Sequence, residues 1–561
     1  MSSDASWWTT AAIYQIYVRS FADGNGDGIG DLTGVRSRLD YLAQLGIDAI
    51  WFNPWYRSPM ADGGYDVTEY REIDPIFGSL DDADKLIVDA HELGIRIIVD
   101  VVPNHCSNEN VWFTQALDAA PGSKERSRFH FRPGRGTDGE LPPNNWESIF
   151  GGPAWTRTRG ADGSPGEWYL HLFAPEQPDF NWESEDVHAE FEEVLRFWFD
   201  KGVDGIRIDS AALLVKDGHL GDMSEDARTL APGTHPFIDR DAVHLIYERW
   251  REIADSYPDP RLLIGEVWLE NVERFTRYLR PRELHSAFNF ELLGCAFEAD
   301  KVRAVVDSTR ASHALVGATP SWVLSNHDVV REVTRYGRAD TAFAMDDRRI
   351  GDPVDLVRGT RRARAAALLV LSLPGSVYIY QGQELGLFEV EDLPDEALQD
   401  PIWLRSGRSD RGRDGCRVPM PWSGSAPPFG FTNGEATSWL PQPAAWKDLT
   451  AEAETGDPLS MLALYREALR IRRGEAELAR EDLDWIDAPV GVIAYRRGPE
   501  LVVVVNLSDT AIELPKDATV VLSSAPRDGL RLAPDTAVWL RAAGVTHIGP
   551  APARPVVGTS A

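Results

Sequence analysis

The chain has 561 residues, of which 43% are hydrophobic, and its formal net charge is −31. This length predicts about two or three domains, and the acidity argues against nucleic acid as a partner because phosphate contacts need basic patches. The chain contains no run of about 18 apolar residues, so no membrane span is predicted. Its N-terminus lacks the features of a secretion signal. The widely spaced Cys106, Cys295 and Cys416 argue against a disulfide framework and favour a cytoplasmic location.

One structural unit repeats along the first two hundred residues. Residues 13–19 are predicted to form a buried strand, the apolar residues from Val35 to Leu45 recur at helical spacing, and the helix ends at Gly46. The same alternation predicts strands at 47–53, 95–102 and 205–209. Later apolar runs predict further strands at 262–267, 286–290, 321–328 and 376–382. About eight strands alternating with helices predict a (β/α)8 barrel, an α/β fold.

Two regions depart from this alternation. Residues 106–180 are rich in Gly, Pro, Asn and Arg and are too long for a plain loop, so they are predicted to form an inserted subdomain after strand three. Short β runs after about residue 490 predict a C-terminal antiparallel β-sandwich over 481–561. The barrel would then comprise 1–105 and 181–480. The final residues, APARPVVGTSA, are expected to be disordered.

Polar and ionisable residues stand at the ends of four of the predicted strands. In an α/β barrel the C-terminal strand ends meet on one face, and active sites form there. The residues are Asp100, Asn104 and His105 at the end of strand three, Arg207 and Asp209 at the end of strand four, Glu266 at the end of strand five, and Asn326, His327 and Asp328 at the end of strand seven. Their convergence predicts a catalytic rim.

Two carboxylates on neighbouring strands suggest the chemistry of this rim. Retaining glycosidases need two carboxyl groups about 5–5.5 Å apart, which strands four and five can supply through Asp209 and Glu266. Arg207 shares a strand face with Asp209 and is expected to keep it ionised as a nucleophile. Apolar neighbours such as Ile264 and Val267 are expected to raise the pKa of Glu266, so that it can donate a proton.

Four motifs in this order resemble those of glycoside hydrolase family 13, the α-amylase family. They are DVVPNH (100–105), GIRIDSAAL (205–213), GEVW (265–268) and SNHD (325–328). The resemblance spans nearly the whole chain and implies a catalytic barrel, an inserted B domain and a C-terminal β domain. It also implies that Asp209 is the nucleophile, Glu266 the acid/base and Asp328 the carboxylate that stabilises the transition state. His105, Arg207 and His327 would position sugar and carboxylates.

Further features resemble the α-glucosidase and oligo-1,6-glucosidase-like members. Tyr65 and Asp66 in GGYDVTEY, with Arg417 in CRVPMPW, match positions that bind the terminal glucose and close the pocket behind it. QPDFNW (177–182) resembles the QPDLN motif of this group, with Phe180 in place of leucine. Phe150 and Phe173 in the inserted subdomain are also predicted to contact sugar, whose CH faces lie well on aromatic rings. The resemblance therefore implies an exo-acting enzyme.

The expected activity is release of glucose from short α-glucosides. Members that favour α-1,6 bonds often carry valine directly after the nucleophile. This chain has Ser210 at that position, which favours a preference for α-1,4 substrates such as maltose. Transfer to an acceptor other than water is equally compatible, as in trehalose or isomaltulose synthases. An α-amylase, or a non-enzymatic relative like transporter heavy chains, is the remaining alternative. The expected partner is a small oligosaccharide, and the protein a monomer or homodimer.

The segment DGNGDGIGD (23–31) predicts a structural metal site. Side-chain oxygens of Asp23, Asn25, Asp27 and Asp31, with the carbonyl of Ile29, have the spacing of a hard-cation loop. It matches an EF-hand loop through nine positions but has Gly34 where the bidentate glutamate belongs. Related α-glucosidases hold Ca²⁺ or Mg²⁺ there, so a structural ion and no organic cofactor are expected. Asn104 matches a second calcium position of α-amylases, for which no partners are identifiable.

Overall fold

A parallel eight-stranded sheet forms the centre of the molecule. The computed structural model describes residues 6–160, 162–223, 230–345 and 347–550. The strands are β1 Ala12–Ile16, β2 Ala49–Phe52, β3 Arg96–Val101, β4 Gly205–Ile208, β5 Leu262–Gly265, β6 Ser286–Ala287, β7 Ser321–Val323 and β8 Ser376–Tyr380. They pair in the order β6-β5-β4-β3-β2-β1-β8-β7. The Ser321 hydroxyl donates to the carbonyl of Ala287 at 2.5 Å and links β7 to β6. The predicted (β/α)8 barrel is confirmed.

Helices cover the outside of the barrel. The α-helices are Leu32–Arg36, Leu39–Leu45, Leu80–Glu92, Val111–Asp118, Lys124–Ser127, Glu185–Asp200, Val243–Asp255, Val272–Arg277, Phe290–Gly294, Ala299–Val316, Glu332–Gly337, Leu356–Ser372, Pro401–Arg405, Ala451–Thr455 and Met461–Gly474. Short 3-10 turns lie at Trp7–Thr9, Val18–Ser20, Gln383–Leu385, Asp395–Ala397, Asp414–Cys416 and Ala444–Asp448. None of the helices in the described ranges is long and apolar enough to cross a membrane.

Three predicted elements differ in the structure. The strand predicted at 321–328 already ends at Val323. The helical stripe ending at Gly46 is two helices, because Arg38 leaves the helical conformation between them. Gly46 ends the second helix at φ 93°, a left-handed conformation that glycine adopts without strain. The predicted strand 286–290 stops at Ala287, because the Asn289 side chain accepts from the backbone N–H of Leu292 and starts the helix Phe290–Gly294.

Alternating strand residues divide the core into two layers. Side chains pointing into the barrel form one buried cluster that includes Ile13, Trp51, Ile98, Ile264 and Tyr378. Their sequence neighbours point outward into a much larger cluster shared with the surrounding helices. The apolar filling of the barrel interior leaves its polar residues at the C-terminal strand ends, where the site forms.

The two departures from the barrel pattern form β structure of their own. After β3, an antiparallel sheet of Phe131–Arg132, Pro165–Leu170 and Trp155–Arg159 precedes the helix Glu185–Asp200, and a hairpin of Tyr56–Arg57 with Glu69–Ile73 follows β2. The C-terminal region has a five-stranded sheet (Asp484–Trp485, Val492–Arg497, Leu501–Asn506, Thr536–Arg541, Thr519–Ser523) and a three-stranded one (Arg531–Leu532, Ile512–Glu513, Gly549–Pro550). The domain bounds stay a prediction, and the APARPVVGTSA tail lies outside the described residues.

Candidate active site

A cavity of about 290 Å³ opens at the C-terminal ends of the barrel strands. Polar, aromatic and aliphatic side chains from the strand ends, from the loops that follow the strands and from the inserted subdomain line it together. They are Asp62, Tyr65, His105, Ile149, Phe150, Phe173, Asp209, Ser210, Ala212, Leu213, Ile238, Glu266, Trp268, His327, Asp328, Met345 and Arg413. The three carboxylates predicted to be catalytic therefore border one cavity.

Arg207 joins the carboxylates beneath this cavity. It is buried, and one terminal nitrogen of its guanidinium lies 2.8 Å from Asp100 Oδ1 and 2.8 Å from Asp209 Oδ1. The other lies 2.6 Å from Glu266 Oε2. Strand register explains the arrangement, because Arg207 on β4 pairs with Asp100 on β3 and with Ile264 on β5. One cation thus orients the carboxylates of three neighbouring strands.

Burial is the largest influence on the pKa values of Glu266 and Asp209, the two candidate catalytic partners. Burial raises the pKa of Glu266 to about 7, although Arg207 opposes the rise, while the charges of Asp209 and Asp328 add to it. This direction agrees with the sequence-based expectation. Burial also raises the pKa of Asp209 above its usual value, with Arg207 opposing. The contact expected between Arg207 and Asp209 is present, but it offsets burial only in part.

Asp328 has the opposite electrostatic environment. Burial opposes its ionisation, but His327, Arg413 and Arg417 hold the pKa of Asp328 well below its usual range. Since burial also keeps the pKa of His327 well below its ordinary value, the two arginines are the cations that matter. Arg417 lies 2.9 Å and Arg413 3.2 Å from Asp328 Oδ1. Asp328 therefore stays ionised beside two carboxyl groups that protonate more readily.

A hydrogen-bond chain through Tyr65 orients the neutral imidazole of His327. The Gln15 amide nitrogen lies 2.8 Å from His327 Nδ1, and the Tyr65 hydroxyl 2.8 Å from His327 Nε2. Because an amide N–H can only donate, we assign the proton of the ring to Nε2. The Tyr65 hydroxyl also accepts from Asn53 at 2.6 Å and donates to Asp100 at 2.9 Å. Tyr65 and His327, both predicted sugar contacts, are stacked at 5.4 Å between ring centroids.

The structure places Asp62, rather than the predicted Asp66, at the cavity. Asp66 is completely buried, and its carboxylate accepts from the Ser58 hydroxyl and from the backbone N–H groups of Ala61 and Asp62. It holds the turn that presents Asp62. Both aspartates occur in ADGGYD. Because a loop has no regular alternation of side chains, its sequence does not indicate which of the two faces the cavity.

A similar correction applies to the predicted Arg417. Arg417 does not line the cavity; it is buried behind Asp328, and its Nε donates to the His327 carbonyl at 2.9 Å. Arg413, four residues earlier, lines the cavity and pairs with Asp62 at 2.6 Å. Asp400 holds Arg413 from the other side at 2.6 Å. The short 3-10 turn Asp414–Cys416 between the two arginines sends their side chains to different depths.

The inserted subdomain completes the wall next to this pair. Arg413 lies over the ring of Phe150, 5.0 Å from its centroid, and Phe150 packs edge-on against Phe173 at 5.3 Å. His105 packs against Phe173 at 4.9 Å, and burial lowers the pKa of His105 to about 4. Gln177, which was not predicted as a site residue, donates to Asp62 at 3.1 Å. Its place in the QPDFNW motif is the signal that could have identified it.

A lysine occupies the surroundings of Asn104. The Lys216 ammonium lies 2.6 Å from Asn104 Oδ1 and 2.8 Å from Asp179 Oδ2, and all three side chains are buried. The protein thus supplies its own cation at the position for which no metal site was predicted. The pair also joins the end of the inserted subdomain to the barrel.

The predicted metal loop has an ordered turn geometry. Asp23 accepts from the backbone N–H groups of Gly26 at 2.6 Å and Gly28 at 2.7 Å, and Asp31 accepts from Gly34 at 2.6 Å. Gly28 has φ +94°, and a Cβ there would meet the carbonyl of Thr437 at 2.2 Å, so the turn requires glycine. The oxygen donors fit a hard cation. Among the described residues, however, no three His, Cys, Asp or Glu side chains form a metal-ligating group, so Asn25 and the Ile29 carbonyl would have to contribute.

Comparisons with known proteins agree with this geometry. Residues 15–481 match the family model described as the catalytic domain of alpha amylase. A probable alpha-glucosidase of Rhizobium meliloti (strain 1021) is 37% identical over 92% of each chain, and trehalose-6-phosphate hydrolase of Escherichia coli (strain K12) is 36% identical over 90% of this chain and 91% of its own. Among solved structures, an alpha-glucosyl transfer enzyme superposes with TM-score 0.81 at 35% identity, over 96% of this chain and 99% of its own. An isomaltulose synthase of Erwinia rhapontici NX5, solved with sucrose, has TM-score 0.82 at 30% identity, over 95% and 99%. The resemblance inferred from four motifs is confirmed.

Proposed function

The chain belongs to the α-amylase family of glycoside hydrolases, and from that membership we propose that it is a retaining, exo-acting α-glucosidase. The observation that carries the proposal is the ion pair of Asp62 with Arg413, which closes one side of the cavity bordered by Asp209, Glu266 and Asp328. A closed end admits the terminal sugar of a chain and excludes a polymer passing through.

In the first step, the Asp209 carboxylate attacks C1 of the terminal glucose. The C1–O glycosidic bond breaks, and the Glu266 carboxylic acid donates its proton to the departing oxygen. The pKa of Glu266, raised to about 7, supplies this acid near neutral pH. The ionised Asp328 stabilises the positive charge that develops on the sugar ring.

In the second step, water attacks C1 of the glucosyl–Asp209 ester and Glu266 removes its proton. Ester formation neutralises Asp209, whose charge had helped to raise the pKa of Glu266. The pKa of Glu266 therefore falls at this stage, which suits its change from acid to base. An acceptor hydroxyl in place of water gives transglucosylation, the activity that separates the hydrolase from a transferase or isomerase.

For linkage, we propose a preference for α-1,4 over α-1,6 glucosides such as isomaltose. It rests on Ser210 after the nucleophile, whose backbone N–H donates to Glu266 Oε2 at 3.0 Å and whose φ is +47°. A β-branched valine adopts this conformation with strain, so the two residues favour different local geometry. Of the described side chains that line the cavity, Arg413 is the one arginine or lysine, and its ion pairs with Asp62 and Asp400 leave it poorly suited to a sugar phosphate.

Product analysis tests the proposal. Purified protein is incubated with maltose, isomaltose, sucrose, trehalose 6-phosphate and starch at low and high sugar concentration, and the anomeric form of the first glucose released is recorded. We expect α-glucose from maltose and slow attack on starch. Rapid fragmentation of starch with little glucose would contradict the exo assignment, and a predominance of new oligosaccharides would indicate a transferase.

We also propose that the loop 23–31 binds Ca²⁺ or Mg²⁺ as a structural ion, through Asp23, Asn25, Asp27, Asp31 and the Ile29 carbonyl. When bound, the ion would tie the loop after β1 together. A cytoplasmic location, consistent with the three unpaired cysteines, completes the proposal.

A further inference from the structure

A second cavity, of about 230 Å³, lies at the opposite end of the barrel from the active site. The starts of three neighbouring strands border it: Ala12 and Arg96 begin β1 and β3, and Asp48 directly precedes β2. The helix Met461–Gly474 forms another side. The volume lies just below the ~300–1,000 Å³ of typical small-molecule sites, so it suits a compact ligand. None of the residues that border it takes part in the proposed reaction.

Positive charge dominates the lining of this cavity. Of the described residues that border it, Arg96, Arg472 and Arg473 are basic and Asp48 is the one acidic residue. The Asp48 carboxylate is already used, because Oδ1 lies 2.9 Å from Arg473 and Oδ2 accepts from the backbone N–H of Ala12 at 2.8 Å. Two arginines therefore remain without a carboxylate partner among the described residues, in a chain whose net charge is −31.

The first of these arginines, Arg472, is buried and held by uncharged groups. Its terminal nitrogens donate to the carbonyls of Leu371 at 2.7 Å and Thr10 at 3.2 Å and to two further carbonyl groups. Its Nε–H has no hydrogen-bond partner in the part of the chain that is described. Burial and the nearby charge of Arg497 lower the pKa of Arg472 to about 10. A buried cation without a counter-ion is costly, and a bound anion offsets that cost.

The second arginine, Arg96, supplies the more accessible cation. It is half-buried, and its guanidinium lies 4.7 Å from the ring centroid of Trp7. This contact with the ring face helps to orient the guanidinium. Its side chain forms no hydrogen bond or ion pair with the described residues, so its N–H donors are available to a ligand. The planar fork of a guanidinium matches the oxygens of a phosphate group.

We propose that this cavity is a phosphate site, which binds free phosphate or the phosphate group of a small sugar phosphate. A phosphate group carries close to two negative charges near neutral pH, which matches the two arginines that lack carboxylate partners. A carboxylate would neutralise only one of them. The bound phosphate links the starts of β1, β2 and β3 to the helix Met461–Gly474 and so stabilises the end of the barrel away from the catalytic carboxylates. The site is independent of the proposed α-glucosidase activity.

Calorimetric titration and thermal melts test the site with two probes, inorganic phosphate and glucose 6-phosphate, against sodium chloride at equal ionic strength. We expect saturable binding and a rise in melting temperature of about 1 °C or more. Equal affinity for the two probes would identify free phosphate as the ligand, and tighter binding of glucose 6-phosphate would identify a sugar phosphate. Arg96→Gln should weaken binding at least about tenfold. Arg96→Lys keeps the charge and should lose less affinity.

Arg303→Gln is the matched control. The Arg303 guanidinium also lies 4.7 Å from the ring centroid of a tryptophan, Trp485, but Arg303 does not border the cavity. Its replacement should leave phosphate affinity unchanged, and maltose hydrolysis should persist in all three variants. Absence of saturable binding beyond the chloride reference, or binding that Arg96→Gln does not weaken, would overturn the phosphate site. Loss of maltose turnover in the unmodified protein would bear on the proposed function alone.

Discussion

Replacing Asp62 with asparagine removes one negative charge from the closed end of the cavity without changing the shape of the side chain. Arg413 keeps its partners Asp400 and Asp328, so the wall should remain in place. What is lost is a charged hydrogen-bond acceptor for the terminal glucose. Hydrogen bonds to charged groups contribute about 1.5–3 kcal/mol, so we expect kcat/KM for maltose to fall about 10- to 150-fold. The melting temperature should change little.

Asp66→Asn provides the matched comparison, four residues away in the same loop. Asp66 accepts three hydrogen bonds within the protein, and the amide NH₂ of asparagine would face at least one backbone N–H. We expect a loss of about 1–3 kcal/mol in stability, seen as a lower melting temperature. Initial rates on maltose and differential scanning fluorimetry measure both variants. If Asp66→Asn lost activity at an unchanged melting temperature while Asp62→Asn stayed active, the reassignment from Asp66 to Asp62 would be refuted.

Three further predictions concern other parts of the molecule. Activity on maltose should be highest when Glu266 is protonated and should fall as pH rises through about 7. Glu266→Gln should abolish this alkaline limb of the pH profile, and it should slow hydrolysis of an aryl glucoside with a good leaving group less than hydrolysis of maltose. An alkaline limb retained in the variant would exclude Glu266 as the acid. Lys216→Met should destabilise the fold by about 3–5 kcal/mol because it leaves Asp179 buried without its cation. Adding Asp179→Asn should recover part of this loss in thermal melts. Equal melting temperatures for the single and the double variant would count against the importance of this ion pair. Ca²⁺ or Mg²⁺ added to chelator-treated protein should raise the melting temperature, and Asp27→Ala should remove the response; no rise in the unmodified protein would leave the metal loop unsupported.

Much of the architecture follows from local patterns. Strand positions were predictable to within a few residues because buried strands of a parallel sheet are short apolar runs, and glycines mark the ends of the intervening helices. The ends of β6, of β7 and of the first helical stripe were not. At β6, for example, the side chain of the single residue Asn289 caps the next helix and so decides where the strand stops. The residues of the catalytic rim were identifiable because they lie in the last residues of the strands or a few residues after them, at the edge where parallel strands end together.

The sequence by itself determined the barrel, the family and the set of carboxylates that meet at the strand ends, because each depends on periodicity or on short contiguous motifs. Only the tertiary structure decided which of two aspartates in ADGGYD, and which of two arginines in RDGCR, reaches the cavity. Asp62 and Arg413 are 351 positions apart, and their pairing depends on how two loops fold against each other.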